Sequence, residues 1–218
     1  MIKISEKVTI VTNFFIFKLF LSNRVSYTLI ATGTIFGLFY DNLIIGLGSF
    51  IGEGGLLETL NAGRYYIHAL ITPLMIIFAY GVIRQIMGKG KYDKIWHSAF
   101  CILAVAMLAM GAMSDVINLS LVPEIENGTL RYVQEVSAGP PLPAIITIIV
   151  MIIVGVFMWR HTSWPWLAVG SIIMFIAAAL GVNNVILSNL GEVVFAIAIV
   201  TMDYRVHRDD NPPELATA

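Results

Sequence analysis

The sequence predicts an all-α protein, a polytopic transmembrane helix bundle of six spans with both termini on the cytoplasmic side. Three observations predict it. Charged residues are 12% of the 218-residue chain, about half the ~25% of soluble domains, and the mean hydropathy is +0.84. A soluble core of this size could not be covered with so little polar surface. Several apolar runs approach the ~20 residues that cross a bilayer core as a helix. The basic residues are also strongly one-sided when the runs alternate in direction. With the N-terminus inside, Lys3, Lys7, Lys18, Arg24, Arg84, Lys89, Lys91, Lys94, Arg160, Arg205 and Arg208 are inside, and of the 13 Lys and Arg residues only Arg64 and Arg131 are outside. That is a strong positive-inside signal. Trp96, Trp159, Trp164 and Trp166 fall at the same inner boundary, where an aromatic belt belongs.

Residues 1–24 carry four basic residues around the run VTIVTNFFIF, which is roughly half a spanning length, so they read as an interfacial amphipathic segment. No small-x-small cleavage pattern follows, which argues against a signal peptide. The six-helix transmembrane domain covers 25–204, with spans at about 25–50, 65–86, 95–119, 142–159, 164–182 and 185–204. The runs are helices because hydrocarbon offers backbone N–H and C=O groups no water, and weak period-2 alternation argues against a barrel. A polar loop, VPEIENGTLRYVQEVSAGPP, separates the third and fourth spans. The tail 205–218 is polar and Pro-containing and is expected to be disordered. No internal repeat is visible.

The stretch 40–73, YDNLIIGLGSFIGEGGLLETLNAGRYYIHALITP, concentrates the unusual residues. A Gly-rich turn with Glu53 and Glu58 is flanked by Asp41, Arg64 and His68, partly within apolar sequence. In the alternating topology Asp41, Arg64, His68, Asp115, Asn118, Asn184, Ser188 and Glu192 all fall toward the outer end of the bundle. Residues four apart share a helix face, so Arg64, His68 and Thr72 make one polar stripe and Asn184, Ser188 and Glu192 another. Thr34, Gly37 and Asp41 make a third, and Gly111, Asp115 and Asn118 a fourth. Such faces avoid lipid, and the expectation is that they meet in one polar pocket. Glu192 is the deepest charge, roughly 10–12 Å below the start of its helix. Burying an ionisable side chain in a span costs on the order of 2.5–3.5 kcal/mol on insertion scales, which marks it as functional by default. Pro73 follows Thr72 and is expected to kink the second span just below His68.

The candidate catalytic residues are therefore Glu192, His68 and Asp41. The candidate substrate-binding residues are Arg64, Asp115, Asn118, Asn184 and Ser188. Glu192 and Asp41 suit acid–base or cation-binding roles, His68 a proton shuttle, and Arg64 the capture of an anionic group. Asp41, His68, Asp115 and Glu192 could offer a metal three oxygens and one nitrogen. One histidine is thin for zinc and HExxH is absent, so the metal and any cofactor stay unassigned. His68 and His97 fall at opposite depths and cannot share a haem. Cys101 is the single cysteine, so neither a disulfide within the chain nor a CxxC exists. No phosphate-binding GxxxxGK[ST] and no basic tract for nucleic acid occur.

The expected function is binding, or transformation, of a small amphipathic or lipid-like molecule in a pocket open to the outer face. The alternatives are a non-catalytic subunit of a larger membrane assembly and a proton-coupled carrier. Expected partners are the lipid bilayer and a small-molecule or lipid ligand, together with membrane-protein partners or a homo-oligomer. The apolar run VVFAIAIV below Glu192 favours a one-sided pocket over a through-path. The topology is directly testable. Reporter fusions at Ala218 and within the 124–135 loop are expected on opposite sides of the membrane, and reporters on the same side would overturn every depth assignment above.

Overall fold

The computed structural model describes residues 25–88, 90–126, 128–135, 141–181 and 184–210. The interfacial segment 1–24 and the last residues of the tail, 211–218, lie outside the described residues. The described chain is helical apart from one hairpin. Helices α1 (Val25–Ile51) and α2 (Gly55–Ile71) are joined by a tight turn, and a single 3-10 turn over Thr72–Leu74 links α2 to α3 (Met75–Met87). Helix α4 (Asp93–Ala112) ends in a π-helical turn over Met113–Ile117. Strands β1 (Leu121–Glu126) and β2 (Thr129–Gln134) follow, and then helices α5 (Leu142–Thr162), α6 (Trp166–Leu180) and α7 (Val185–Asp210).

Four helical stretches are long and apolar enough to cross a membrane: Tyr27–Ile51, Gly55–Met87, Asp93–Ile117 and Leu142–Thr162. Trp166–Leu180 and Ile186–Met202 are shorter apolar helices. Phe36, Phe39, Phe50, Ile102 and Ile153 are all well exposed, as suits helices whose outer faces meet lipid rather than water.

Helix α3 is the axis of the bundle. Every residue from Met75 to Val82 is buried, because α3 packs against α1, α4 and α5. The main core gathers Met75, Ile76, Met151, Leu167, Ile199 and Met202, each essentially without exposure. Pro73 sits in the 3-10 turn at the head of this core and is itself buried. Its missing N–H and fixed φ end one regular helix and start another there.

Two element ends differ from expectation. The second helix begins at Gly55, not near 65, because LLETLNAG extends it and Glu58 in its first turn complements the helix dipole. The Gly-rich turn shrinks to Gly52–Gly54, where Gly52 and Gly54 adopt φ of 81° and 154°. The last helix continues to Asp210, into the polar segment that begins at 205.

The polar loop after the third span is an antiparallel hairpin, paired from Leu121 with Gln134 to Glu126 with Thr129. Its sequence carries Asn127-Gly128 at the tip, a strong hairpin signal, and Gly128 has φ 79°. The hairpin docks over the α1–α2 turn. Leu130 N–H donates to Ser49 Oγ at 3.0 Å, and Ser49 Oγ donates to the Gly128 carbonyl at 2.9 Å. Gly54 N–H donates to the Tyr132 hydroxyl at 3.2 Å and Gln134 N–H to the Tyr65 hydroxyl at 3.1 Å. Ile44, Leu57 and Tyr132 form a small second core beneath it. Arg131 pairs with Glu124 at 2.9 Å and with Glu126 across the hairpin.

Helices α5 and α6 come into close backbone contact at Gly155, where a Cβ would lie 2.5 Å from Ala168 N and 2.7 Å from its Cα. Backbone cannot yield as a side chain can. Gly155→Ala is therefore expected to lower stability by about 1–3 kcal/mol, read as a fall in the unfolding midpoint of the purified protein in detergent. Gly46→Ala, where a Cβ meets nothing within 4 Å, should be neutral or gain up to about 1 kcal/mol from helix propensity. Equal effects at the two positions would contradict the packing.

Candidate functional site

The antiparallel α1 and α2 bring distant residues to one level. Asp41 lies about 15 Å before the end of α1, while Arg64 and His68 lie about 14 and 20 Å into α2, at 1.5 Å per residue. Asp41 therefore faces both. Arg64 grips it with two N–H groups, Nε to Oδ1 at 2.8 Å and Nη2 to Oδ2 at 3.3 Å. This bidentate fork is the strongest arrangement available to an arginine and a carboxylate. Asn61 Oδ1 accepts from Arg64 Nη1 at 2.8 Å, and Asn61 Nδ2 donates to the Leu57 carbonyl at 2.8 Å. Asn61 has no exposure at all, so the guanidinium is fixed from behind.

His68 follows one turn later. Its Nε2 is 3.6 Å from Asp41 Oδ1, and its Nδ1 is 3.4 Å from Thr72 Oγ1. Helix α7 supplies the third side. Glu192 accepts from Asn42 Nδ2 at 2.7 Å on Oε2, and the same amide donates to the Leu38 carbonyl at 2.9 Å. Among the described residues no hydrogen bond engages Glu192 Oε1. Asp41 and Glu192 are 3% and 6% exposed, too little for water to solvate two ionised carboxylates. One donor atom each from Asp41, His68 and Glu192 lie within 4.8 Å of one another.

Asp41 and Glu192 ionised, Arg64 cationic and His68 neutral sum to −1, so one proton or one further cation completes the group. A groove between α1 and α2 reaches His68, lined by Thr34, Gly37, Leu38, Ile67, Ile71 and Thr72. Its volume of about 10 Å³ is room for about one water.

Comparison with protein-family models, with curated proteins and with solved structures finds no match to this chain. The site is therefore read from its own geometry.

Of the residues singled out from sequence, Asp41, Arg64, His68 and Glu192 come together. Asn118 and Asn184 serve their own helix ends instead. Asn118 is exposed and donates through Nδ2 to the Met113 carbonyl at 2.8 Å, closing the π turn. Asp115 lies in that turn, outside the Asp41–His68–Glu192 group. Asn184 is exposed, and its Oδ1 accepts from Leu187 N–H at 3.3 Å at the start of α7. Ser188 lies against Gly181. Glu53 and Glu58 are exposed, and the bidentate partner of Arg64 is Asp41 instead. Sequence reasoning missed Asn42 and Asn61. Both were signalled by position: Asn42 adjoins Asp41, and Asn61 extends the Arg64–His68–Thr72 stripe one step back at i−3.

Removing Arg64 leaves two buried carboxylates without their cation. Arg64→Leu is expected to cost about 3–5 kcal/mol, measured by unfolding in mixed micelles. The double variant Arg64→Leu/Asp41→Leu should recover part of that loss, because it removes the stranded charge as well. A double variant no better than Arg64→Leu would show that the pair is not coupled.

Proposed function

We propose that the chain is a six-span membrane protein with both termini cytoplasmic. Its buried charged centre would bind the polar head of a small amphipathic or lipid-like molecule and perform acid–base chemistry on it. The observation that carries this reading is the convergence of Asp41, His68 and Glu192 from three helices, within 4.8 Å, beside a groove with largely apolar walls. A structural ion pair needs two partners. Here a second carboxylate, buried and therefore costly, and a half-buried imidazole are added to a satisfied pair.

Six spans rest on the four long helices plus α6 and α7. At 1.5 Å per residue the 15 residues of α6 cover about 22 Å, and a bilayer thins to meet a short helix at modest cost. Orientation rests on the distribution of basic residues. In this orientation the hairpin and the charged centre face the outer side, where an amphipathic molecule would enter between α1 and α2. Leu38, Ile67 and Ile71 would take its apolar part. The groove is small, so entry parts the helices where Gly37 meets Ile67.

Within the centre, Glu192 is the proton donor or acceptor, since one of its oxygens is uncommitted. His68 relays the proton toward the groove. Arg64 is already occupied by Asp41 and Asn61, so it positions Asp41 and is not the group that captures substrate. A carrier is less well supported. Beyond Glu192, α7 contributes Phe195, Ile199 and Met202 to the apolar core, and among the described residues no polar path continues to the other end.

The test is co-purification. The protein extracted from its host and analysed by lipid mass spectrometry is expected to carry an amphipathic molecule that Gly37→Leu, which fills the groove, excludes. Glu192→Gln keeps a hydrogen-bonding side chain, so it should stay folded and hold the molecule unconverted. Identical molecules, in identical amounts, on the natural protein and both variants would refute the reading.

A further inference from the structure

We propose that Asp41, His68 and Glu192 bind one divalent transition-metal ion of the zinc class. This rests on the reading that these residues are the working centre, and it names what completes their charge.

Donor chemistry comes first. One imidazole and two carboxylates form a mixed nitrogen–oxygen set. Such a set suits zinc, iron or manganese better than sodium, magnesium or calcium, which favour oxygen alone. Three protein ligands with a fourth position open is the pattern of reactive zinc sites. In a four-coordinate site with metal–ligand bonds of about 2.0–2.2 Å, the donors stand roughly 3.3–3.6 Å apart. The three donors here lie within 4.8 Å of one another, so side-chain adjustments of about 1 Å close the site around an ion without moving a helix.

The surroundings are the second line. Metal ligands are characteristically oriented by an outer set of hydrogen bonds, and each of these three has one. Thr72 Oγ1 stands at 3.4 Å from His68 Nδ1, turning Nε2 toward Asp41. Asn42 holds Glu192 Oε2 at 2.7 Å, and among the described residues Oε1 has no hydrogen-bond partner. Arg64 holds Asp41, and Asn61 holds Arg64. An arginine on a ligating carboxylate does not block it, because each oxygen keeps a second lone pair. A purely structural role would not call for every member to be oriented toward a common point.

Charge is the third. With both carboxylates ionised, as ligation requires, the four side chains sum to −1, and a divalent ion brings the centre to +1. A bound hydroxide, or the anionic head of an amphipathic ligand, then makes it neutral. The occupied site would thus select a ligand with a negatively charged head, and the groove beside His68 leads to the open position.

The experiment uses the full-length protein in detergent, stripped with a chelator and reloaded with Zn²⁺ or Mn²⁺. Bound metal is counted by elemental mass spectrometry, and affinity is read by competition with a chromophoric chelator. About one ion per chain is expected. His68→Ala and Glu192→Gln should each weaken binding by more than about tenfold, and Asn42→Ala and Thr72→Val by about tenfold. Unfolding midpoints establish that each variant is folded. Neither ion binding to the folded natural protein, or undiminished binding by a His68→Ala/Glu192→Gln double variant, would overturn the proposal. Failure here, with an amphipathic molecule still retained in a Gly37-dependent way, would sink the metal alone. One bound ion per chain lost in His68→Ala, with no such molecule retained, would support the metal and sink the proposed function.

Discussion

The pairing of Asp41 with Arg64 is the interaction on which the rest of this structure depends. An unpaired carboxylate in the middle of an apolar bundle carries a desolvation penalty of several kcal/mol. The bidentate arginine offsets much of it, but only if the guanidinium is itself held in place. That requirement explains Asn61, a fully buried amide whose two ends tie Arg64 to the α2 backbone. It also constrains the helix ends. The α1–α2 turn must be short enough for Asp41 and Arg64 to lie at one depth, and Gly52 and Gly54 make it so with backbone angles that favour glycine. The hairpin then covers the turn, taking hydrogen bonds from or to Ser49, Gly54 and Tyr65. A local electrostatic demand thus propagates into turn geometry and the placing of a β-hairpin.

The bundle uses two kinds of packing. Around α3, large flexible side chains such as Met75, Met151 and Met202 fill the core, and methionine adapts to irregular gaps. Around α5, α6 and α7 the helices approach through small residues, with Gly155 on Ala168, Gly170 on Ala198 and Gly191 on Ala177. Close backbone approach is how helices associate where lipid removes the hydrophobic drive between them. This leaves α7 firmly seated against α6 while its other face carries Glu192 to α1. The charged centre is therefore built between a rigid pair and the α1–α2 hairpin, with its groove on the α1–α2 side.

Much of this was legible in the sequence because the strongest signals are physical and local. Apolar run lengths locate the helices, and the cost of burial singles out Asp41, His68 and Glu192. The i, i+4 stripe from Arg64 to Thr72 holds in the structure, and so does the shared level of Asp41, Arg64 and His68. Asp115, Asn118 and Asn184 satisfied the same periodicity yet stand apart, because a stripe reports a face and not what it faces. Near helix ends such residues close their own turns, as Asn118 does on Met113. The hairpin was hidden because strands of six residues with a mixed pattern resemble a polar loop, although Asn127-Gly128 marked its tip. The early start of α2 was hidden because hydropathy reports the span, while LLETLNAG is a helix of mixed polarity.

The division of labour among the charged groups follows from which lone pairs are left. Both oxygens of Asp41 are taken by Arg64, and one of them also faces His68. An ion that adds to Asp41 uses the lone pairs that Arg64 leaves and does not displace the guanidinium, so Asp41 is the anchor of the centre. Glu192 has one oxygen bound by an amide, a neutral donor that stabilises either state of the carboxyl. It can gain or lose a cation without breaking the arginine pair that supports the fold. His68 is the most exposed of the three, with 35% of its side chain accessible on the groove side. It is the member through which the centre meets whatever enters. Reactivity should therefore concentrate on Glu192 and His68, and structural tolerance should be least at Arg64 and Asn61, which the hydrogen bonds to Asp41 and the α2 backbone tie into the fold.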